Sequence, residues 1–158
     1  MLDYRPMNLA SIIDGHPDDA VAVISRGKPT TYGTLRQQVA GLRGGLVGLG
    51  LEPGDRVGIV AANNWYFVVS YLAVLGAGCV AVPLNPTSPV PELQHQLAVI
   101  GARAVISGPS AKAAVGGLDH STLPDLEHVI FSTADAGPGA LVLDDLVGAA
   151  PVPLVDRA

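Results

Sequence analysis

The sequence predicts an α/β fold, a mostly parallel sheet with helices on both faces in three layers. Three observations lead there. Short β-branched runs alternate with helical patterns at intervals that fit parallel strands joined by crossovers. Apolar residues make up 49% of the chain and charged ones 15%; globular domains average about 25% charge, so many elements must be covered on two sides. From Val57 to Pro91 no side chain is charged at all. A stretch that apolar lies in a membrane or deep in a core. Gly76, Gly78 and Pro83 interrupt it and asparagines flank it, whereas a spanning helix needs roughly 20 unbroken apolar residues. The stretch reads as strand, buried helix, second strand and proline-held loop, with no transmembrane segment.

The elements follow in order. Leu9 to Asp14 fits a short amphipathic helix capped by Asn8. Ala20 to Ser25 reads as a strand, Arg26 to Pro29 as a turn and Thr30 to Tyr32 as the returning strand of a hairpin. A helix begins at Thr34. Its apolar stripe is Leu35, Val39, Leu42, Leu46 and Leu49, and Gly50 stands where a left-handed residue ends it. Gly41, Gly44, Gly45 and Gly48 occupy the opposite side. Each costs roughly 1 kcal/mol against Ala in a helix interior. Close approach of another backbone would justify them; the simpler reading is a relaxed solvent face.

Glu52-Pro53-Gly54-Asp55 turns into a strand over 56–61. Asn63 caps a helix from Trp65 to Leu75, apolar almost all round. Cys79 to Leu84 forms the next strand, in which Pro83 ends pairing at the sheet edge. Pro86, Pro89 and Pro91 hold a loop before a helix over 92–100. Strands over 103–107 and 127–132, a helix around 111–115, a loop over 134–139 and a closing helix over 142–147 complete the pattern. Residues 1–150 thus form one α/β unit, and 151–158 read as a connector running on to further chain.

Bulk properties narrow the function classes. A net charge of −5 without any Lys/Arg cluster argues against a nucleic-acid surface. The first six residues carry no apolar signal core, and the one cysteine, Cys79, fits a reducing cytoplasm and a buried structural role. His16, His95, His120 and His128 have no metal-ligand spacing, so no metal site is expected. Asp18-Asp19 and Asp144-Asp145 are adjacent in sequence and face apart in any regular element, as solvated termini do. Ser107-Gly108-Pro109-Ser110-Ala111-Lys112 follows a strand and opens a helix, where amides favour an anion. It lacks Walker spacing and Pro109 removes a donor, so a structural turn is the better reading. Trp65, Tyr66, Phe67 and Tyr71 share one helix and read first as core, second as a ligand box.

Several ordered phrases carry a resemblance. Thr31-Tyr32-Gly33-Thr34-Leu35 comes first, then Gly50-Leu51-Glu52-Pro53-Gly54-Asp55-Arg56-Val57, then Asn63. Leu75-Gly76-Ala77-Gly78, Val82-Pro83-Leu84-Asn85-Pro86 with Glu92-Leu93, and 101–107 follow in register. From about Ser11 to Ser107 the chain resembles the adenylate-forming, AMP-binding acyl-CoA synthetases, the fatty-acid–CoA ligases among them, over the N-terminal portion only. The resemblance implies the large N-terminal domain of such a ligase. It implies activation of a carboxylic (fatty) acid by ATP to an acyl-adenylate with release of pyrophosphate, then thioester formation with CoA. ATP, Mg²⁺ and CoA are thereby implied for a complete relative. The family's phosphate loop, magnesium glutamate, ribose aspartate and C-terminal lysine match nothing in this sequence, so no catalytic residue is assigned and the chain is expected to be inactive scaffold that binds no cofactor itself. The loop Asn85, Pro86 and Thr87 is its CoA-proximal element by resemblance, although Thr87 stands where some relatives have arginine. A truncated sheet is expected to self-associate or to hold the remaining ligase polypeptide. The alternative is a naturally short, non-catalytic binding module derived from this family.

Overall fold

The computed structural model describes residues 7–137 and 140–155. Part of the loop expected over 134–139, the last three residues of the expected connector and the N-terminal stretch used to argue against secretion lie outside the described residues.

A 3-10 segment, Leu9–Ile13, opens the chain, and the Asn8 side chain accepts from the Ala10 amide at its start, as expected. Strands β1 (Val21–Ser25) and β2 (Lys28–Thr31) form an antiparallel hairpin. Its turn is only Arg26-Gly27, with Ser25 opposite Lys28, so Pro29 belongs to the strand and not to the turn. Helix α1 runs over Tyr32–Gly48, and Leu35, Val39, Leu42 and Leu46 are buried as the stripe requires. Gly50, at φ +86°, makes the turn that follows.

The main sheet contains β3 (Arg56–Val60), β4 (Val80–Leu84), β5 (Ala104–Ser107), β6 (His128–Phe131) and β7 (Leu141–Val142). Their spatial order is β4-β3-β5-β6-β7, and every pairing is parallel. Helices α2 (Trp65–Gly76), α3 (Val90–Ile100), α4 (Lys112–Gly116) and α5 (Leu143–Val147) connect or close it. One core lies under the 3-10 segment, α1, α2 and α5 and takes Val57, Ile59, Ala104, Ile106 and Ile130 from the sheet. The other lies under α3 and α4 and takes Val60, Val105 and Val129. Alternate residues of each strand feed opposite cores, which is the three-layer arrangement expected from the low charge content. Gly58 leaves room for Leu97 of α3, whose Cδ2 would stand 2.8 Å from an added Cβ.

Four expectations need correction. The cap of α2 is Asn64, which accepts from the Phe67 amide at 3.4 Å, and not Asn63. Strand β4 is an edge strand with Val80 and Pro83 exposed, so the uncharged stretch does not lie wholly deep in the core. Strand β7 was not expected and takes Val142 from the start of the expected closing helix, since two residues are too short for any periodicity to register. The glycine face of α1 is not a solvent face. Residues 146–155 return across it: a Cβ on Gly41 would stand 1.9 Å from the Val147 carbonyl oxygen, and one on Gly44 1.9 Å from that of Ala150. Gly45 meets Leu146 at 2.9 Å, and only Gly48 of the four has open space. Arg43 donates from Nε to the Val152 carbonyl at 2.7 Å, the Val155 amide donates to Gly76, and Asn8 Nδ2 donates to both Leu75 and Val155. The described part of the expected connector is packed into the groove between α1 and α2.

Candidate functional site

In an open parallel sheet of this kind, ligands collect at the carboxyl ends of the strands, where the chain order reverses. Here the reversal lies between β3 and β5, since β4 flanks β3 on one side and β5 on the other. The sequence builds that edge from short loops. The one after β3 leads to the Asn64 cap of α2, and the one after β5 leads through Gly108 and Pro109 into α4. The two loops touch. The Gly108 amide donates to the Val60 carbonyl at 2.9 Å, and a Cβ on Gly108 would fall 2.9 Å from that of Ala61. The cleft at the switch point is therefore closed at its base by direct contact.

The neighbouring loops are similarly self-satisfied. Asn85 Oδ1 accepts from the Thr87 amide at 3.0 Å and from the Thr87 hydroxyl at 2.9 Å, while the Ser88 amide donates to the Asn85 carbonyl. Ser88 Oγ donates to Glu92 Oε1 at 3.2 Å. Asn85 and Thr87 are exposed and form an Asx turn that aims Pro89 at the start of α3. Beyond β5, Lys112 Nζ lies 2.5 Å from Asp135 Oδ2 and donates to the Asp135 carbonyl at 2.9 Å. The Lys112 ammonium and the Thr133 hydroxyl hold the Asp135 carboxyl below its ordinary range. The Ser107–Lys112 turn thus spends its cation on a neighbouring loop, as the structural reading expects.

The remaining sequence candidates are scattered. Trp65, Tyr66, Phe67 and Tyr71 are half-buried along α2; Trp65 meets Tyr66 edge-on at 5.1 Å and Phe67 stacks on Tyr71 at 5.6 Å. Cys79 is buried, its thiol donating to the Glu52 carbonyl at 3.3 Å. Asp18 pairs with Arg36, and Asp144 and Asp145 are exposed in the first turn of α5. Among the described residues no three His, Cys, Asp or Glu side chains converge as metal ligands. Among the described residues these side chains offer no donor set that fits an ATP–magnesium complex. No helix among the described residues is long and apolar enough to cross a membrane.

The opposite, amino edge carries a charged clamp that sequence reading missed. Arg103 Nη1 lies 2.6 Å from Asp55 Oδ2, and Arg103 Nε lies 3.1 Å from Glu127 Oε2. Asp55 Oδ2 also accepts from the Glu52 amide at 2.7 Å. Burial raises the Asp55 carboxyl, but the Glu52 amide, the Arg103 guanidinium and the more distant Arg56 charge outweigh it and bring it below its usual range. One arginine thereby joins the starts of β3, β5 and β6. The signal was local: a charged residue directly precedes each of the three strands.

Comparison with known proteins gives these loops their context. The sequence model of the AMP-binding enzyme family matches residues 10–149. The chain belongs to that family. Among curated relatives, the mitochondrial medium-chain acyl-CoA ligase ACSF2 of Pongo abelii is 32% identical over 148 residues, covering 83% of this chain and 24% of the relative. The feruloyl-CoA synthase of an Amycolatopsis species is 37% identical over 129 residues, covering 80% and 26%. The apo structure of Mycobacterium smegmatis MbtA superposes with a TM-score of 0.81 at 30% identity, covering 98% of this chain and 29% of that one. The chain therefore spans about a quarter of the length of these curated relatives.

Proposed function

We propose that this chain is the N-terminal α/β scaffold of an ATP-dependent acid–thiol ligase, a fatty-acid–CoA ligase. In the complete protein a carboxylate attacks the α-phosphate of ATP, giving the acyl-adenylate and pyrophosphate. CoA thiol then displaces AMP and the acid leaves as its thioester. The observation that carries this reading is the family match over 10–149 together with acyl-CoA-forming relatives in which the same segment is about a quarter of the protein. ATP, Mg²⁺ and CoA belong to the complete enzyme, and the fatty acid is its substrate. The cytoplasm is its compartment, on the reading of Cys79 as a reduced thiol.

The chain alone is catalytically inactive in this reading. Its carboxyl-edge loops are satisfied by one another, and Lys112 is committed to Asp135. Asn85, Pro86 and Thr87 lie nearest CoA and offer it shape, not charge. ATP–pyrophosphate exchange with a panel of fatty acids tests both parts. The continuous ligase carrying this segment should exchange label in the presence of its acid, and residues 1–158 should give none. Exchange by the short chain would overturn the scaffold assignment, and no exchange by the complete protein with any carboxylic acid would overturn the ligase assignment.

A further inference from the structure

Where the β1–β2 hairpin leans over α1 and the start of α2, a cavity of about 350 Å³ opens on the surface. That volume falls within the range of small-molecule sites, about 300–1,000 Å³. Its apolar wall is the Trp65–Tyr66 pair. The indole is held by one bond, Trp65 Nε1 donating to Gln38 Oε1 at 2.8 Å, and the Trp65 backbone amide donates to Ser25 Oγ at 3.3 Å. Arg26 and Lys28 line the rim, and no carboxylate is among the lining residues. In a chain of net charge −5, a cavity with two cations and no anion attracts a dianion.

The hairpin turn adds a second, independent observation. Arg26 has φ +50° and Gly27 φ +77°, the positive pair that a two-residue type I′ turn demands. Asn is favoured at the first of these positions, and an arginine there is strained. Neither conformation nor packing calls for the guanidinium, which is exposed over the cavity mouth.

We propose that this cavity binds an aryl phosphate, a flat ring carrying a phosphate dianion. The ring would lie along Trp65 and Tyr66, and the phosphate between Arg26 and Lys28, with the Thr30 hydroxyl in reach of the same rim. Two cations match a phosphate dianion better than a singly charged carboxylate. The proposal does not rest on the ligase reading, and its test involves no adenylation. Trp65 is the sole tryptophan, so its indole N–H gives one assignable NMR resonance. Phenyl phosphate titrated into the 158-residue chain should shift that resonance saturably. Inorganic phosphate should bind at least about tenfold more weakly, and phenol should give no saturable shift. Arg26→Asn supplies the residue the turn prefers, so it should keep the fold while weakening phenyl phosphate binding, and the Arg26→Asn/Lys28→Gln pair should weaken it about tenfold or more. An absent shift with phenyl phosphate, an equal response to phenol, or unchanged affinity in the folded double variant would each overturn the proposal.

Discussion

At the scale of single residues, the glycines of α1 separate conformational cost from packing need. Gly41 and Gly44 have carbonyl oxygens where their side chains would begin, close to the geometry of a weak Cα–H···O contact. Arg43, between them in the helix, donates to a third carbonyl of the same returning segment. Burial pushes its guanidinium down and the Asp14 charge only partly opposes that, so the Val152 bond compensates a desolvated cation. Gly44→Ala should destabilise the chain by about 3 kcal/mol, because a backbone carbonyl cannot move aside as a flexible side chain does. Gly48→Ala, with nothing within 4 Å, should stabilise it by roughly 0.5–1 kcal/mol through helix propensity. Urea midpoints of the two variants decide the matter: shifts of opposite sign are expected, the larger for Gly44→Ala, and a neutral Gly44→Ala would mean that residues 146–155 do not occupy the groove.

At the scale of elements, the amino edge of the sheet depends on one clamp. Asp55 has a folded-state pKa below its ordinary value of about 3.9. A depressed carboxyl contributes stability that is complete above the ordinary range and is lost as pH falls through the lower folded value. Asp55→Asn should therefore destabilise the chain at neutral pH by about 1 kcal/mol after discounting for solvent screening. The gap between variant and parent should narrow as pH drops below the ordinary carboxylate range. Denaturation midpoints at several pH values would reveal it, and a gap that stays constant or widens in acid would refute the clamp. This clamp also shows what was legible beforehand. Strands β3, β5 and β6 could be read because each is a compact apolar run behind a polar boundary, and α1 because its stripe has one period over 17 residues. The pairing of Arg103 with Asp55 could not be read, since it requires β3 and β5 to be neighbours, and sequence order makes β4 intervene. The groove on α1 was hidden for the same reason: its occupant lies about a hundred residues downstream, and a glycine stripe alone does not distinguish a partner from solvent. The loop at Asn85 was visible from its prolines, but its inward-turned hydrogen bonds were not.

At the scale of the whole molecule, the question is where this sheet would meet a second copy or a further polypeptide. The sheet edges are poor candidates. Val80 donates to the Asp55 carbonyl, and bonding direction alternates along a parallel strand, so Ala81 and Pro83 turn their backbone groups outward. Pro83 has no N–H to give, and β7 at the other edge is only two residues long. Both edges are blunted against strand addition. Three exposed apolar side chains lie together elsewhere. Leu9 and Ile12, one 3-10 turn apart and therefore on one face, are 49% and 59% exposed, and Met7 beside them is 77% exposed. This face, anchored through Asn8 to α2 and to Val155, is where the chain should associate with itself when no further polypeptide covers it. Sedimentation velocity over a concentration series should show reversible association of the parent, and Leu9→Ser/Ile12→Ser should shift it toward monomer. Pro83→Val, which returns an outward N–H to β4, should add larger species that the face variant does not remove. A parent that stays monomeric throughout would overturn self-association, and a face variant that associates as strongly as the parent would exclude this face and move the contact to another exposed apolar position such as Ile24 or Val99.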